Sequence, residues 1–531
     1  MTEEIQDTRQ MSKKIFLYTS SKVLLLIVLL LVSFLGKAQF YNMPGDYNFA
    51  LLTERALAER DSAIHSGIKP YIHFFSQKYV HVADTHRLFK YIVDDPAIDI
   101  VFNKHVIRVE PRNEKFKLRL DPLLNFEVGK DFSDTINRRL GTNTRGFIGS
   151  GYIGDKFYFE TMFAENQSTF PDYLSNTVKS TLVVPGQGRW KVFKTNGYDY
   201  AFSSGFVSIQ ALKNLNIQVG HGKQKIGNGY RSLLLSDNTF NYPYARFTQQ
   251  WFKGRVSYTN IYAALMNLDS ASKHPTPNAE RLFQKKAASF QYLSINFTKS
   301  INVGFFQGMI WHAGDDRNKQ DLSWQYFNPL IYTNLAQYKL NNKNNILIGG
   351  DFKIKVTNTF NIYGQVMADD LSNTRTYGNG IGFQAGANYF NALGVKNLFL
   401  QVEYNDVNEN SYNSPLGTIT NQSYSQYNQN LAYTPGSGKE LIAILDYKWK
   451  RFFMNFKYNY QNMLKNGEHY YYNNIINAKV GYLINPAYNL NVNLGVTYRS
   501  QNFNGTNNLN NQTNYIYLGV KTSIYNLYYD F

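Results

Sequence analysis

The densest group of chemically competent side chains in this sequence is Trp311-His312-Ala313-Gly314-Asp315-Asp316, an imidazole followed closely by two carboxylates. Such a set could activate a water molecule, provided a second acid or base faced it. No second His-carboxylate partner is identifiable, and Asp315, Asp316 and Arg317 fit a solvated turn with a local ion pair. Gly436-Ser437-Gly438-Lys439-Glu440 ends like a phosphate-binding loop. The match fails because Tyr433 stands where the first glycine belongs and Glu440 where Ser or Thr would hold magnesium. The nine His are scattered and the chain has no Cys, so neither a metal nor another cofactor is expected, and disulfides, thiolate sites and a lipid-modified N-terminal Cys are excluded. A non-enzymatic chain is the expectation. Lys223, Lys225 and Arg231, with His221 beside them, form a cationic group that could bind an acidic ligand, and Tyr230 could stack on a sugar face. Trp311, with His312 and Arg317 around it, is a second sugar-contact candidate.

The elements that would position these residues are legible in composition and periodicity. The 531 residues include 42 Tyr and 38 Phe, with 43% hydrophobic but only 18% charged residues, a composition unlike that of an ordinary soluble protein. A mean hydropathy of -0.40 excludes a bundle of membrane helices. The single long apolar run, 23–35, is shorter than the roughly 20 residues a spanning helix needs. Preceded by Lys13, Lys14 and Lys22 and followed by Gly36-Lys37-Ala38, it reads as a signal peptide cut before Gln39. The formal net charge of +17 falls to about +15 without the leader, which favours acidic partners; nucleic acid is not among the partners expected.

Residues 39–115 form a separate segment. Asp46 can cap a helix with Phe49, Leu52, Ala56, Ala63 and Ile64 on one face, stopped by Gly67 and Pro70. A second short helix is expected over 85–91 and extended chain over 98–109. From 116 onward the period changes to two. Phe452, Met454, Phe456, Tyr458 and Tyr460 alternate with Phe453, Asn455, Lys457, Asn459 and Gln461, and the runs 490–499, 398–405 and 441–449 repeat the pattern. Segments of about ten residues with one oily and one polar face fit strands that have lipid outside and water inside.

About 18 such segments can be placed over 116–531, with long connections after odd strands and tight ones after even strands. The expected fold is therefore an all-β, antiparallel transmembrane barrel of the outer-membrane type, with long loops outside the cell, short turns in the periplasm and residues 39–115 beneath it. In the final segment, 514–531, Tyr525, Leu527, Tyr529 and Phe531 would face lipid. That ending resembles the membrane-insertion signal of many outer-membrane barrels, which implies handling by the barrel assembly machinery. Most aromatics then belong to the lipid-facing coat and its interfacial girdles. The basic cluster at 221–231 would sit near the second long loop, either at the outer mouth or lining the lumen and paired with its carboxylates.

Gly227-Asn228-Gly229-Tyr230-Arg231-Ser232-Leu233-Leu234-Leu235-Ser236-Asp237, followed by Asn241-Tyr242-Pro243, resembles the signature region of Wzi-like capsule-assembly outer-membrane proteins, especially those of Bacteroidetes. Phe327-Asn328-Pro329-Leu330, the stretches 348–353 and 363–370, and Leu398-Phe399-Leu400-Gln401-Val402-Glu403-Tyr404-Asn405 are similar to the same group. The resemblance also takes in residues 61–71, and within this group the chain is similar to gliding-motility proteins of the RemB type. The resemblance covers most of 40–531. Tyr433 departs from it, because relatives commonly carry His there, so any role of that His is not carried over. The resemblance implies an 18-stranded barrel that binds and organises or anchors exported capsular polysaccharide in the outer membrane, in contact with lipopolysaccharide. Its RemB side implies a part in gliding motility or adhesion, with motility or export proteins as partners. Strand number alone would also fit a passive porin.

Overall fold

A computed structural model describes residues 51, 54, 55, 57–59, 64–71, 96–111, 115–154, 156–270, 283–313, 324–338, 344–370, 380–413, 422–465, 468–503, 511–522 and 526–531. The leader and the expected helix at 85–91 lie outside these residues. Eighteen strands form a closed antiparallel barrel. They are β1 Phe116–Asp131, β2 Leu140–Ile153, β3 Phe157–Thr169, β4 Gly197–Leu212, β5 Leu215–Gly222, β6 Tyr242–Trp251, β7 Val256–Ser270, β8 Phe283–Asn296 and β9 Ile301–His312. The circuit continues through β10 Asn345–Lys355, β11 Phe360–Asp370, β12 Gly380–Phe390, β13 Leu398–Val407, β14 Gly438–Trp449, β15 Phe452–Lys465, β16 Glu468–Asn485, β17 Leu490–Phe503 and β18 Asn511–Lys521. Each pairs with its sequence neighbour, and β18 closes on β1 from Lys521 against Asn125 to Tyr515 against Asp131.

The alternation that predicts the strands is the alternation that the wall uses. On β14 the side chains of Glu440, Ile442 and Ile444 are buried inward, while Lys439 and Leu441 are exposed outward. Val402, Phe456, Leu494 and Leu518 likewise face out and are exposed. A closed ladder pairs the wall's backbone groups internally, and the outward apolar band suits the hydrocarbon of a bilayer. One rim carries the long connections 170–196, 223–241, 313–344 and 408–437, with the short links 466–467 and 504–510 as exceptions; every connection at the other rim has seven residues or fewer.

Two expectations about the short-turn rim need correction. Residues 98–109 are not one extended run: helix α1 spans Pro96–Asn103, and only Ile107–Val109 is extended. Pro96 opens the helix, where its missing N–H costs nothing. At the other end Asn485 Nδ2 donates to the carbonyls of Ile100, Val101 and Lys104, and Arg451 donates to that of Phe102. The last strand stops at Lys521 rather than running to Phe531. Thr522 makes the final contacts with Leu124, Pro122 offers no N–H, and the β1 edge beyond is taken by Ile107–Val109 pairing with Leu118–Leu120. The chain leaves the wall there.

The N-terminal segment does more than lie beneath the barrel. Described positions between 51 and 58 are helical, as expected, but the side chains packed on Phe390 and Phe399 at the short-turn rim are Leu51 and Ala58, not members of the expected face, and the chain is no longer helical at Ile64. Residues 65–71 then enter the lumen, where Ile68 and Lys69 pair antiparallel with Ile226 and Lys225. His65 holds the entry: its Nε2 lies 2.8 Å from the Gly254 carbonyl, which can only accept, and its Nδ1 lies 2.8 Å from Ser294 Oγ. Burial lowers the His65 pKa from its ordinary 6.5, against a smaller opposing effect of the Gly254 bond. Docking of this strap is therefore complete above the ordinary value and weakens as the pH falls below it, because the undocked imidazole takes up the proton more readily. Hydrogen exchange of residues 64–71, corrected for intrinsic rates, should show lower protection at pH 5 than at pH 7.5; equal protection would contradict this.

Candidate functional site

The lumen contains a folded polypeptide core. The connection 223–241, which carries the glycine-rich signature, turns inward, and its backbone is held by side chains projecting from distant strands. Glu403 on β13 accepts the N–H groups of Tyr230 and Arg231 at 2.6 and 3.0 Å. Gln365 on β11 accepts that of Leu233 at 2.7 Å. The hydroxyls of Tyr412 and Tyr424 donate to the carbonyls of Leu233 and Leu234 at 2.9 and 2.7 Å. The glycines explain the motif: Gly227 has φ +136°, and a Cβ on Gly229 would press on Glu403 and Gln384, so only glycine permits this approach. Leu233, Leu234 and Leu235 are fully buried with Ile68, Phe290, Phe306 and Tyr433 in the largest apolar cluster. A barrel filled this way has a hydrophobic core where a pore would have water.

Arg231 is the electrostatic centre of the core. Its guanidinium donates to both oxygens of Glu440, at 3.1 and 2.8 Å, and to Asp530 Oδ1 at 3.1 Å and its carbonyl at 2.8 Å. Lys457 and Tyr230 donate to Asp530 Oδ2 at 2.6 and 2.8 Å. Burial opposes the charge on Arg231 and on Asp530. The Asp530 and Glu440 carboxylates nevertheless raise the Arg231 pKa further, while Arg231 and then Lys457 hold the Asp530 carboxyl well below its usual range.

This arrangement corrects the expectation of an exposed cationic patch: Arg231 is paired with carboxylates in the lumen, whereas the two lysines are held by backbone carbonyls. Arg231 is 1% exposed. Lys225 is buried and its ammonium donates to the carbonyls of Gly229 and Tyr230, while buried Lys223 donates to that of Gly186. Burial, opposed by Asp237, pushes the Lys223 pKa down to about 8. Tyr230 is buried with its hydroxyl engaged.

The C-terminal residues are corrected in the same way. Tyr525 lies outside the described residues, but 526–531 lie in the lumen and face no lipid. Leu527 approaches Gly186, the Tyr529 carbonyl accepts from Tyr173, and a main-chain oxygen of Phe531 accepts from Arg499 on β17. Tyr529 and Phe531 pack with Phe170, Leu174 and Val178 of the first long connection, where helix α2 spans Asp172–Thr181. Alternation of side chains across 527–531 reflects packing inside the barrel.

Trp311 is not at the mouth either. It points out from β9 and is buried beneath 324–338, a segment folded down over the outer wall, with its ring stacked on Tyr326 at 4.5 Å. Outward Gln291, Tyr262 and Tyr258 hold this segment through the carbonyls of Asn328, Phe327 and Pro329. These polar groups on the apolar wall are thus satisfied by the strap. His312 faces inward and is buried; Asp315, Asp316 and Arg317 lie outside the described residues. No group of three or more His, Asp or Glu able to hold a metal is found among the described residues.

Sequence reasoning passed over a different surface on the long-loop rim. Arg189, Lys191 and Lys194 are exposed in the stretch Arg189-Trp190-Lys191-Val192-Phe193-Lys194. Trp190 is fixed by a bond from its Nε1 to the Val178 carbonyl and an edge-on contact with Tyr198 at 4.8 Å. The alternation of cations with Trp and Phe was the available signal: cations attract acidic groups, and rigid aromatic rings offer apolar contact.

No protein-family model matches the chain, and no curated protein matches it. Among solved structures, the barrel is similar to Wzi of Escherichia coli, described as a carbohydrate-binding β-barrel of the outer membrane involved in group 1 capsule assembly. The TM-score is 0.55 at 13% identity, over 92% of this chain and 100% of Wzi. OprD of Pseudomonas aeruginosa matches 76% of this chain and 94% of its own, with a TM-score of 0.41 at 11% identity. OccAB2 of Acinetobacter baumannii gives 0.43 at 11% identity, over 76% of this chain and 98% of its own. What the chain shares with Wzi at this identity is the β-barrel fold, matched along nearly its whole length.

Proposed function

We propose that this protein is a non-enzymatic outer-membrane barrel that binds and anchors acidic surface polysaccharide at its long-loop rim. The observation that carries the reading is the filled lumen, which directs binding to the rim. There the strip 189–194 presents exposed cations beside ordered aromatics. The likeness of fold to a carbohydrate-binding barrel supports the same assignment. In this reading the long loops face the cell exterior, the N-terminal segment faces the periplasm, lipopolysaccharide surrounds the outer wall, and the barrel assembly machinery inserts the chain. The internal core speaks against a passive porin.

A second reading rests on the sequence resemblance to RemB-type proteins: the same glycan contact would serve gliding or adhesion, with motility or export proteins as partners. A deletion strain that keeps its capsule but loses movement would favour this reading over capsule retention.

Charge reversal at Arg189, Lys191 and Lys194 to Glu should weaken binding of an acidic polysaccharide at least tenfold at low salt, with the difference shrinking as salt rises. Equal affinity of wild type and triple variant, measured on immobilised polysaccharide, would remove this strip from the site. Arg231 has a different role, in the core. Arg231→Gln strands Glu440 and Asp530 without their shared cation, so a loss of about 3–5 kcal/mol is expected. Thermal unfolding of the detergent-solubilised variant should show a clearly lowered midpoint, whereas an unchanged midpoint would contradict the central role of Arg231.

A further inference from the structure

The outer wall is stepped at the short-turn end of strands β14 to β18. Two cross-strand rows of outward side chains lie next to each other there. One runs Tyr447, Met454, Val480, Leu494 and Leu518, and the other Trp449, Phe452, Tyr482 and Val492. Both rows pass from large side chains on β14 and β15 to branched aliphatic ones on β17 and β18. Along the step lies an open groove of about 680 Å³, within the roughly 300–1,000 Å³ of small-molecule clefts. Val480, Val492, Leu494 and Leu518 form its floor.

The aromatic bank of the groove is braced. Phe452 stacks on Trp449 with ring centroids 6.1 Å apart and meets Tyr482 edge-on at 5.0 Å. The turn from β14 to β15 is pinned beside it: Arg451 is buried and donates to the Phe102 carbonyl at 3.1 Å and to Asn103 Oδ1 at 2.8 Å. Lys450, the other turn residue, is thereby held at the outer side of the rim, exposed, with its ammonium 5.3 Å from the Trp449 ring. Its neighbour Lys448 is answered by Asp446 at 3.7 Å, whereas no carboxylate among the described residues pairs with Lys450. A fixed cation at the wet end of an apolar groove suits a molecule with an anionic head and a long apolar tail. A partner's strand is not what fits, because the backbone here is used up in the closed ladder and offers no edge.

We propose that this groove binds one anionic phospholipid, with an acyl chain along the floor and the phosphate at Lys450. Only the choice of leaflet rests on the proposed orientation, which puts the short turns in the periplasm and the groove in the inner leaflet. The lipid would be held there more firmly than its neighbours on the rest of the wall, because the step gives a chain apolar contact from the side as well as from below.

Full-length protein in detergent, stripped of lipid, is titrated with phosphatidylglycerol or with phosphatidylethanolamine of the same chains, and native mass spectrometry reads the bound lipid. The comparison is with Val480→Trp, which fills the floor, and with Val402→Trp, which adds the same bulk at an exposed outward position on β13. Lys450→Gln removes the cation. Wild type should bind one phosphatidylglycerol saturably and more tightly than phosphatidylethanolamine. Val480→Trp should bind it at least tenfold more weakly, Val402→Trp should match wild type, and Lys450→Gln should lose the preference between the two heads. If Val480→Trp fails to fold, Leu518→Trp takes its place. The proposal is overturned if wild type binds no lipid, if Val402→Trp weakens binding as much as the groove variant does, or if Lys450→Gln keeps the preference. A dimer in the spectrum that Val480→Trp abolishes would give the groove to a second copy and overturn it too. Polysaccharide binding at the other rim is measured separately, so either idea can fail without the other.

Discussion

A guanidinium taken out of water inside a barrel must be answered from several directions, and the way Arg231 is answered organises this molecule. Glu440 comes from the wall, Asp530 from the end of the chain, and Glu403 holds the backbone that presents the arginine. Desolvating such charges costs several kcal/mol each, and only complete pairing offsets it. The network therefore fixes the inward loop, the tail and strands β13 to β15 in one arrangement. The leucines that follow Arg231 then fill the space beside it with apolar contacts, so charge pairing sets the register of the plug and packing supplies its bulk.

The plug separates the two rims. With its interior occupied, the wall presents a loop face and a turn face with different chemistry. The loop face combines exposed cations with anchored aromatics, a surface suited to long acidic chains that need several weak contacts. The turn face is covered by the N-terminal segment, which is held by a strand pairing inside the lumen and by lysine-rich contacts below it. On the outside, the strap 324–338 shows that even the lipid-facing wall is modified locally, with Tyr258, Tyr262 and Gln291 placed to meet its carbonyls.

The wall was legible in the sequence because lipid outside and polar groups inside impose a strict two-residue alternation on each strand. Its insertions were not. Arg231 and Asp530 meet across 299 positions of sequence, and nothing local to either marks the partner. The tail misled for a physical reason: aromatic alternation satisfies a lipid face and a packed interior equally, and what ends β18 is Pro122 together with Ile107–Val109 on a strand far away. Helix α1 was hidden by its Ile and Val content, and its C-terminal carbonyls are held by Asn485 and Arg451 from distant turns. Among the candidate residues of the basic cluster, Arg231 serves charge pairing inside the barrel, and Lys223 and Lys225 donate to backbone carbonyls there. The exposed cations lie one connection earlier, at 189–194.

The central claim is that the lumen is closed by the chain itself. Single-channel recording of the intact protein in planar bilayers tests it most directly. The account predicts no stable open-pore conductance at moderate voltage in neutral buffer. A large, steady conductance from each inserted molecule would contradict it and return the barrel to the porins.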